Sequence, residues 1–233
     1  MHPLDNSVWK ALSTRQAGLA ESLRGARRFA PEISRLGAIC APTDESYDSL
    51  AALLSVGETV NLALEAPYQP RPGLNLAYTA PALQMIYNAG VSAFASRAAL
   101  DVQIVELGAD DADSMVGLTE LTKPGPFAKR AHELGTYIGI RQEGKLIAMA
   151  GERLKLPGFT EVSAVCTHPD HVGKGYARIL MTEVMQRICD RGETPFLHVR
   201  ESNERAIALY EKLGFEKRVL LEHTVLRRDA WSG

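Results

Sequence analysis

Two glycines, Gly173 and Gly175, stand one residue apart where an apolar run ends and a helical pattern begins. The apolar run breaks at Pro169, and helical spacing of apolar residues continues from Gly175 to about Arg191. Backbone N–H groups in such a turn have no partner inside the helix, and the helix dipole adds partial positive charge. A turn of this kind can hold a diphosphate. We therefore expect a nucleotide-like cofactor here.

Two common phosphate-binding patterns do not fit this turn. A dinucleotide fold requires a third glycine where Arg178 stands, and an acidic residue after the next strand, whereas Glu193 precedes that strand. The pair Gly173-Lys174 lacks the spacing and the following Ser or Thr of a nucleotide-triphosphate loop. The cofactor is therefore of another type.

The segment resembles the pyrophosphate loop of the GNAT superfamily of N-acetyltransferases, whose pattern is Arg/Gln-x-x-Gly-x-Gly/Ala. Gly175 and Ala177 match this pattern, while Val172 stands where the family has Arg or Gln. The resemblance implies that backbone amides of the loop hold the pyrophosphate of acetyl-coenzyme A, with Lys174 supplying positive charge. The loop residues predicted to bind the cofactor are Val172, Gly173, Lys174, Gly175, Tyr176, Ala177 and Arg178.

A second motif lies downstream, between Asn203 and Phe215. It is similar to the Asn-x-x-Ala-x-x-Leu-Tyr-x-x-x-Gly-Phe helix of the same superfamily. Asn203, Ala206 and Tyr210 share one helical face, and Gly214 follows where a left-handed cap is expected. The resemblance implies that Asn203 and Ala206 line the cofactor and that Tyr210 is the general acid at the sulfur.

Two glutamates are candidates for the general base. In the protein-lysine branch of the superfamily the base lies eleven positions before the Arg/Gln site, and Glu161 lies eleven before Val172. Partial burial would raise the pKa of Glu161 toward the working range; the alternative is a strand-end glutamate in solvent. Glu152, next to Arg153, is the second candidate, with a surface ion pair as its alternative.

Other residues near the loop have weaker predicted roles. His198 is expected to pack or hydrogen-bond beside the cofactor, and Phe127 either walls the acceptor pocket or belongs to the core. A buried structural thiol is commoner than a nucleophile at Cys166. Because no fourth ligand stands near Cys166, His168 and His171, no metal site is expected. The strand backbone predicted to pair with the pantetheine arm is that of Val165, Cys166 and Thr167.

Composition indicates a well-packed protein of 233 residues, of which 45% are hydrophobic. The formal net charge of −2 gives no electrostatic reason to expect nucleic acid or an anionic membrane as partner. Three sparse cysteines suit reduced thiols, and no signal segment is evident. We therefore expect a cytoplasmic protein, either a monomer or a homodimer.

The chain pattern predicts an α/β (α+β) fold in two units, residues 1–95 and 101–233, joined near residues 88–100. The second unit reads β-α-α-β-β-β-α-β-α-β, the order of the GNAT fold, with a short helix from Phe127 to Leu134 and a final hairpin within Phe215 to Arg228. The first unit combines helical and strand patterns. It is either a degenerate GNAT-like half or a lid that shapes the acceptor pocket.

These features together predict an acetyl-coenzyme A dependent N-acetyltransferase, an acyltransferase that moves groups other than aminoacyl groups. The acceptor would be an amine of a small molecule, peptide or protein, attacking the thioester directly. The alternative is a coenzyme A-binding sensor on the same scaffold without turnover. An acyl group longer than acetyl is also open.

Overall fold

The computed structural model describes residues 2–88 and 102–230. Its helices and strands, labelled in chain order, are as follows. The helices are α1 Ser7–Ser13, α2 Asp44–Leu53, α3 Ala112–Thr122, α4 Tyr176–Asp190 and α5 Glu204–Lys212. The strands are β1 Ala20–Leu23, β2 Ala26–Phe29, β3 Gly37–Ile39, β4 Thr59–Leu64, β5 Leu74–Tyr87, β6 Ile104–Leu107, β7 Tyr137–Gln142, β8 Lys145–Leu156, β9 Phe159–Thr167, β10 Thr194–Arg200 and β11 Phe215–Arg228.

The described strands form a large sheet and a small one. The large sheet has eight strands in the order β4-β11-β5-β10-β9-β8-β7-β6, and the small one is β1-β2-β3. Within the large sheet, β9 and β10 are parallel, whereas the other neighbouring pairs are antiparallel. The mixed central sheet, flanked by helices, confirms the predicted α/β (α+β) fold.

Two predicted local elements were wrong. The residues from Phe127 to Leu134 form a 3-10 turn only at Ala131–Leu134. The residues predicted to form a final hairpin form instead one 14-residue strand, β11. Its sequence contains no Gly, Pro or Asn at which the chain could turn back, and β4 and β5 supply its two neighbours instead.

The large sheet includes strands from both predicted units. β5, from the first unit, pairs with β10 through Phe196↔Ile86 and with β11 through Phe215↔Tyr87. Most of the expected joining segment, residues 88–100, lies outside the described residues. Division into units 1–95 and 101–233, and the GNAT-like or lid character of the first, stay predictions.

Each face of the sheet is covered by a different set of helices. On one face α4 packs five side chains that are at most 2% exposed, and α5 adds Ile207. Each α4 side chain contributes about 1.5–3 kcal/mol of hydrophobic stabilisation. The other face carries α1 and α3. Within the described ranges no helix is long and apolar enough to cross a membrane. The five α4 side chains are Leu180, Met181, Val184, Met185 and Ile188.

Candidate functional site

The candidate site begins where β9 and β10 separate. The two strands pair only over Thr194↔Phe159, Pro195↔Thr160 and Phe196↔Glu161. Beyond Glu161, β9 keeps its pairing with β8, and β10 continues with β5. The separation leaves the β10-facing backbone edge of β9 open, as predicted for Val165, Cys166 and Thr167.

A bulge interrupts β9 just beyond the separation. Ala164 is left-handed with φ 53, and the register shifts between Met149↔Cys166 and Gly151↔Ser163. The extra residue reverses the alternation of side chains, so Val165 packs toward α4 while Cys166 packs toward α3. A bulge of this kind re-aims backbone groups at the open edge.

The strand leads into the predicted cofactor loop. Gly173 has φ 88, and Gly175, the residue before α4, has φ 79. The Ile179 N–H donates to Gly175 O at 3.1 Å and is the first intrahelical bond, so the amides of the preceding helical residues have no partner within α4. A Cβ added at Gly173 would meet nothing within 4 Å. The Val172 N–H donates to Pro169 O at 3.3 Å, so the loop amides for which the described residues supply no acceptor begin at Gly173.

The side chains of this loop point mainly into solvent. Val172, at the position where the GNAT motif has Arg or Gln, is 43% exposed. Lys174 Nζ lies 3.3 Å from His171 Nδ1, and the ring of Tyr176 lies tilted 6.5 Å from that of His171. Arg178 is exposed and Ala177 is half-buried. Positive charge near the turn comes from Lys174 and Arg178.

The second motif forms α5, as its pattern predicts. Asn203 caps the helix, with Oδ1 accepting the Ala206 N–H at 3.2 Å. Tyr210 packs against the α4 side of the core and edge-on to Phe215, at 6.2 Å between ring centroids. Burial raises the pKa of Tyr210 to about 12. Its phenol therefore carries its proton at any ordinary pH.

The predicted rise in the pKa of Glu161 is wrong. Its side chain is fully buried, which by itself raises the pKa, but the Arg153 guanidinium and hydrogen bonds from Arg153 and His198 outweigh burial and hold it below its usual range. Arg153 donates to both carboxylate oxygens, at 2.8 and 2.6 Å. A carboxylate locked in this way is a poor proton acceptor.

His198 lies in the same buried group as Glu161. Its side chain is 4% exposed, with Nδ1 2.7 Å from Glu161 Oε1 and Nε2 3.1 Å from the Gln84 amide nitrogen. Because that amide donates, Nε2 accepts and Nδ1 donates to Glu161. Both ring nitrogens are engaged within the protein, and the contact of His198 with the cofactor stays a prediction.

Glu152 is also buried, so the alternative that it forms an ion pair on the surface is wrong. Its side chain is 1% exposed, with Arg191 Nη2 2.7 Å from one oxygen and Lys155 Nζ 2.8 Å from the other. Two cations therefore hold this carboxylate. Neither predicted base is an unpaired carboxylate.

Phe127 and Cys166 both belong to the core beside α3. The half-buried ring of Phe127 contacts two core clusters and packs edge-on to Tyr137 at 5.7 Å between centroids. Burial raises the pKa of the Cys166 thiol to about 11, despite a hydrogen bond with Thr122. At neutral pH this thiol is not a thiolate nucleophile. Among the described residues no group of three or more His, Cys, Asp or Glu side chains could hold a metal ion.

Sequence reasoning did not predict the role of two residues beside this group. Arg153 pairs with Glu161, and His223 of β11 lies 5.6 Å from the His198 ring, centroid to centroid. Arg153 faces Glu161 across the hairpin of β8 and β9, whereas His223 comes from β11, a strand distant in sequence. Only their charged or polar character on apolar strands could have drawn attention to them.

Known proteins are similar in sequence to the part of the chain that contains the candidate site. The FR47-like protein family matches residues 137–225, from β7 into β11. N-alpha-acetyltransferase RimI of Mycobacterium tuberculosis is 36% identical over 101 residues, which are 40% of this chain and 63% of that protein. The ribosomal protein bS18-alanine N-acetyltransferase of Escherichia coli is 35% identical over 92 residues, with coverages of 39% and 62%. The chain therefore spans slightly less than two thirds of these curated relatives.

A solved structure extends the likeness over the whole chain. A GNAT family protein from Novosphingobium aromaticivorans DSM 12444 superimposes with a TM-score of 0.88 and 36% identity, covering 99% of this chain and 100% of that one. The chain belongs to the GNAT family. The FR47-like match contains both GNAT motifs, and the Novosphingobium structure adds the N-terminal strands β4 and β5 to the part that is shared.

Proposed function

We propose that this GNAT protein is an acetyl-coenzyme A dependent N-acetyltransferase that moves the acetyl group directly from thioester to amine. One observation carries the proposal. The open edge of β9 is followed, after the short 3-10 turn Pro169–His171, by the left-handed glycine turn and the N-terminus of α4. A cofactor with an extended amide-bearing arm and a diphosphate requires an open strand edge and an N–H-rich turn this close together.

The diphosphate is held by the turn. Gly173 and Gly175 adopt the left-handed conformation, which aims successive N–H groups at a common space, and the dipole of α4 favours negative charge there. Val172 replaces the motif's Arg or Gln, but the amides do not depend on that side chain. The residues proposed to hold the diphosphate are Val172, Gly173, Lys174, Gly175, Tyr176, Ala177 and Arg178.

The pantetheine arm lies between β9 and α5. The backbone of Val165, Cys166 and Thr167 pairs with its amides, because the open edge has unpaired backbone groups. Asn203 uses Oδ1 as the helix cap and keeps its amide nitrogen for the cofactor, and Ala206 leaves room beside it. When bound, the cofactor supplies the acetyl group as an activated thioester.

Tyr210 is the general acid for the departing sulfur. Its phenol remains protonated because burial raises its pKa to about 12. Such an acid donates a hydrogen bond to the thiolate as it forms and completes proton transfer as the carbon–sulfur bond breaks. The leaving thiol is then released neutral.

The acceptor is an amine, and the part of the Phe127 ring that its core contacts leave exposed would form a wall of the acceptor pocket. The names of the two curated relatives specify an N-alpha-acetyltransferase and an alanine N-acetyltransferase. Those names support a peptide or protein amino terminus as acceptor, and a small-molecule amine is the second class to test.

A paired measurement tests the proposal. Acetyl-coenzyme A should raise the melting temperature by mass action, and free thiol should form above hydrolysis background when a suitable amine is added. The amine set contains peptides with free amino termini, lysine side chains and small polyamines. Binding without thiol release for any amine would favour a non-catalytic coenzyme A sensor and overturn the enzyme proposal.

A further inference from the structure

Four polar side chains cross one face of the large sheet in a row. Arg153 on β8 pairs with Glu161 on β9, Glu161 accepts from His198 on β10, and the His198 ring lies 5.6 Å from that of His223 on β11. Leu197 and Val199 pack toward α4, so the alternation of β10 places His198 on the opposite face. We call this set the polar row.

The polar row lies where the candidate site opens. Glu161 is in the last residue pair that joins β9 to β10, and His198 is two positions beyond Phe196, its partner residue. β5 runs between β10 and β11, where it has Ala82 opposite Arg200 and Ala80 opposite His223. These small side chains leave the two rings close enough to face each other across an entire strand.

His223 differs from the other members because its ring is not engaged. Arg153, Glu161 and His198 bond to one another, whereas within the described ranges the ring nitrogens of His223 have no hydrogen-bond partner. The residue is half-buried and therefore reachable from solvent. A neutral imidazole in this position offers one acceptor nitrogen to a ligand.

The charges that face His223 are cationic in balance. Arg153 and Arg200 contribute positive charge, Glu161 is the facing carboxylate but is paired with Arg153, and His198 donates to Glu161. The paired residues from β4 and β5 are Ala63 and Ala80, which carry no charge. Burial, followed by His198 and Arg153, lowers the pKa of His223 to about 3. Its ring is therefore neutral at physiological pH.

We propose that His223 receives the acceptor amine through its unpaired ring nitrogen, and that the surrounding guanidinium groups admit the amine only in its neutral form. The proposal rests on the proposed acetyltransferase function and specifies its substrate class. An N–H of the amine donates to the imidazole, which turns the nitrogen lone pair toward the thioester. The His198 ring, which Glu161 and Arg153 hold in place, packs against the His223 ring.

The bond changes balance without an enzyme carboxylate. The nitrogen–carbon bond forms, the carbon–sulfur bond breaks, and the sulfur takes the Tyr210 proton. The proton lost by the nitrogen passes to His223 and then to water, and Tyr210 regains a proton from solvent. Deprotonation of the free ammonium ion occurs in bulk water before binding.

The amine's own acidity then decides which acceptors react. An amino terminus has a pKa of about 8 and a lysine side chain about 10.4, so at pH 7 the neutral fraction of the former is about 250-fold larger. A site that admits only neutral amines therefore favours α-amines and other weakly basic amines over lysine side chains at neutral pH.

The first test compares the pH dependence of kcat/KM for two acceptors, a peptide with only a free amino terminus and a peptide with only a free lysine. For each peptide kcat/KM should rise up to the pKa of its own amine, near 8 and near 10.4 respectively. A single apparent pKa shared by both acceptors would indicate an enzyme base and overturn the proposal.

The second test replaces the ring. His223→Gln should lower kcat/KM for the amine at least about tenfold by losing an oriented acceptor, while the thermal shift from acetyl-coenzyme A stays unchanged. His132→Gln, a histidine outside the polar row, is the matched control. Equal kcat/KM in His223→Gln and the parent would contradict the proposal.

Failure of this inference differs from failure of the proposed function. If the parent protein binds the cofactor but transfers no acetyl group, the proposed enzyme function is wrong. If the parent is active but both peptides share one apparent pKa, or His223→Gln leaves kcat/KM unchanged, only the proposed role of His223 is wrong. If His223→Gln loses its fold, His223→Asn with the same pair of peptides measures the same orientation effect.

Discussion

The glycine loop before α4 and the polar row differ in exposure and in the groups that they present. The loop from Val172 to Gly175 is exposed and offers backbone N–H groups, whereas Glu161 and His198 are buried and act through side chains. Backbone donors require only a local conformation, which two glycines provide. The polar row requires β8, β9, β10 and β11 to be assembled first.

This difference predicts that the two regions tolerate substitution differently. A side chain on the loop can be exchanged, as Val172 in place of the motif's Arg or Gln suggests, provided that the turn is kept. Arg153 or Glu161 of the polar row cannot be removed alone without cost, because the other member of the pair would remain buried and charged. Substitutions in both regions test that contrast.

Gly173→Val should abolish the thermal shift caused by acetyl-coenzyme A. Valine disfavours φ 88, and its side chain would occupy the space proposed for the diphosphate. Gly192→Val is a matched control, since Gly192 follows the other end of α4 with φ 73 and open surroundings. Both variants should lose similar stability, but only the control should keep the shift. Retained binding in Gly173→Val would locate the cofactor elsewhere.

Glu161→Gln should destabilise the fold by about 3–5 kcal/mol, because Arg153 would be left buried without its carboxylate. Urea unfolding measures the change. Glu106→Gln removes an exposed partner of Arg187 and should cost less than about 1 kcal/mol. Similar losses in the two variants would show that the polar row is not the buried ion-pair cluster described above.

The ion pair of Glu161 and Arg153 makes the stability of the fold depend on pH in a defined direction. The folded-state pKa of Glu161 lies below the unfolded value of about 4.3, so its contribution is complete above that pH and is lost as the pH falls further. Acid unfolding of Glu161→Gln should therefore be shallower than that of the parent. Parallel acid-unfolding curves would contradict the ion pair.

Tyr210→Phe should lower kcat by roughly ten- to a thousandfold while cofactor affinity changes little, because a general acid acts mainly in the transition state. Steady-state kinetics with a reactive amine measures both parameters. Tyr47→Phe, a buried tyrosine of the α2 core, is the control. Full activity in Tyr210→Phe would exclude this phenol from the reaction.

Val172→Arg should lower the KM for acetyl-coenzyme A by a few-fold, because the guanidinium would add about one charge-assisted hydrogen bond to phosphate. The gain should shrink at high salt because position 172 is exposed. An unchanged KM at low salt would mean that backbone amides already saturate the diphosphate.

Local patterns predicted the parts of the site that local sequence can form. The glycine turn, the caps and the α4 and α5 faces follow from residues within a few positions of one another. The lowered pKa of Glu161 depends on Arg153 across the β8–β9 hairpin, a pairing that its neighbour Glu152 and the strand register obscured. The engagement of His198 depends on Gln84 of β5, which no spacing rule connects to it. The single strand β11 could have been anticipated from its lack of turn residues, but its partners β4 and β5 come from a region with weak patterns.

The most direct test of the central claim is the location of a transferred acetyl group. The purified protein is incubated with acetyl-coenzyme A and a peptide that carries both a free amino terminus and a lysine, and the product is sequenced by mass spectrometry. The account predicts acetylation at the amino terminus near neutral pH, much slower with Tyr210→Phe and with His223→Gln. Tight cofactor binding without acetylated peptide, or acetylation chiefly on lysine, would contradict it.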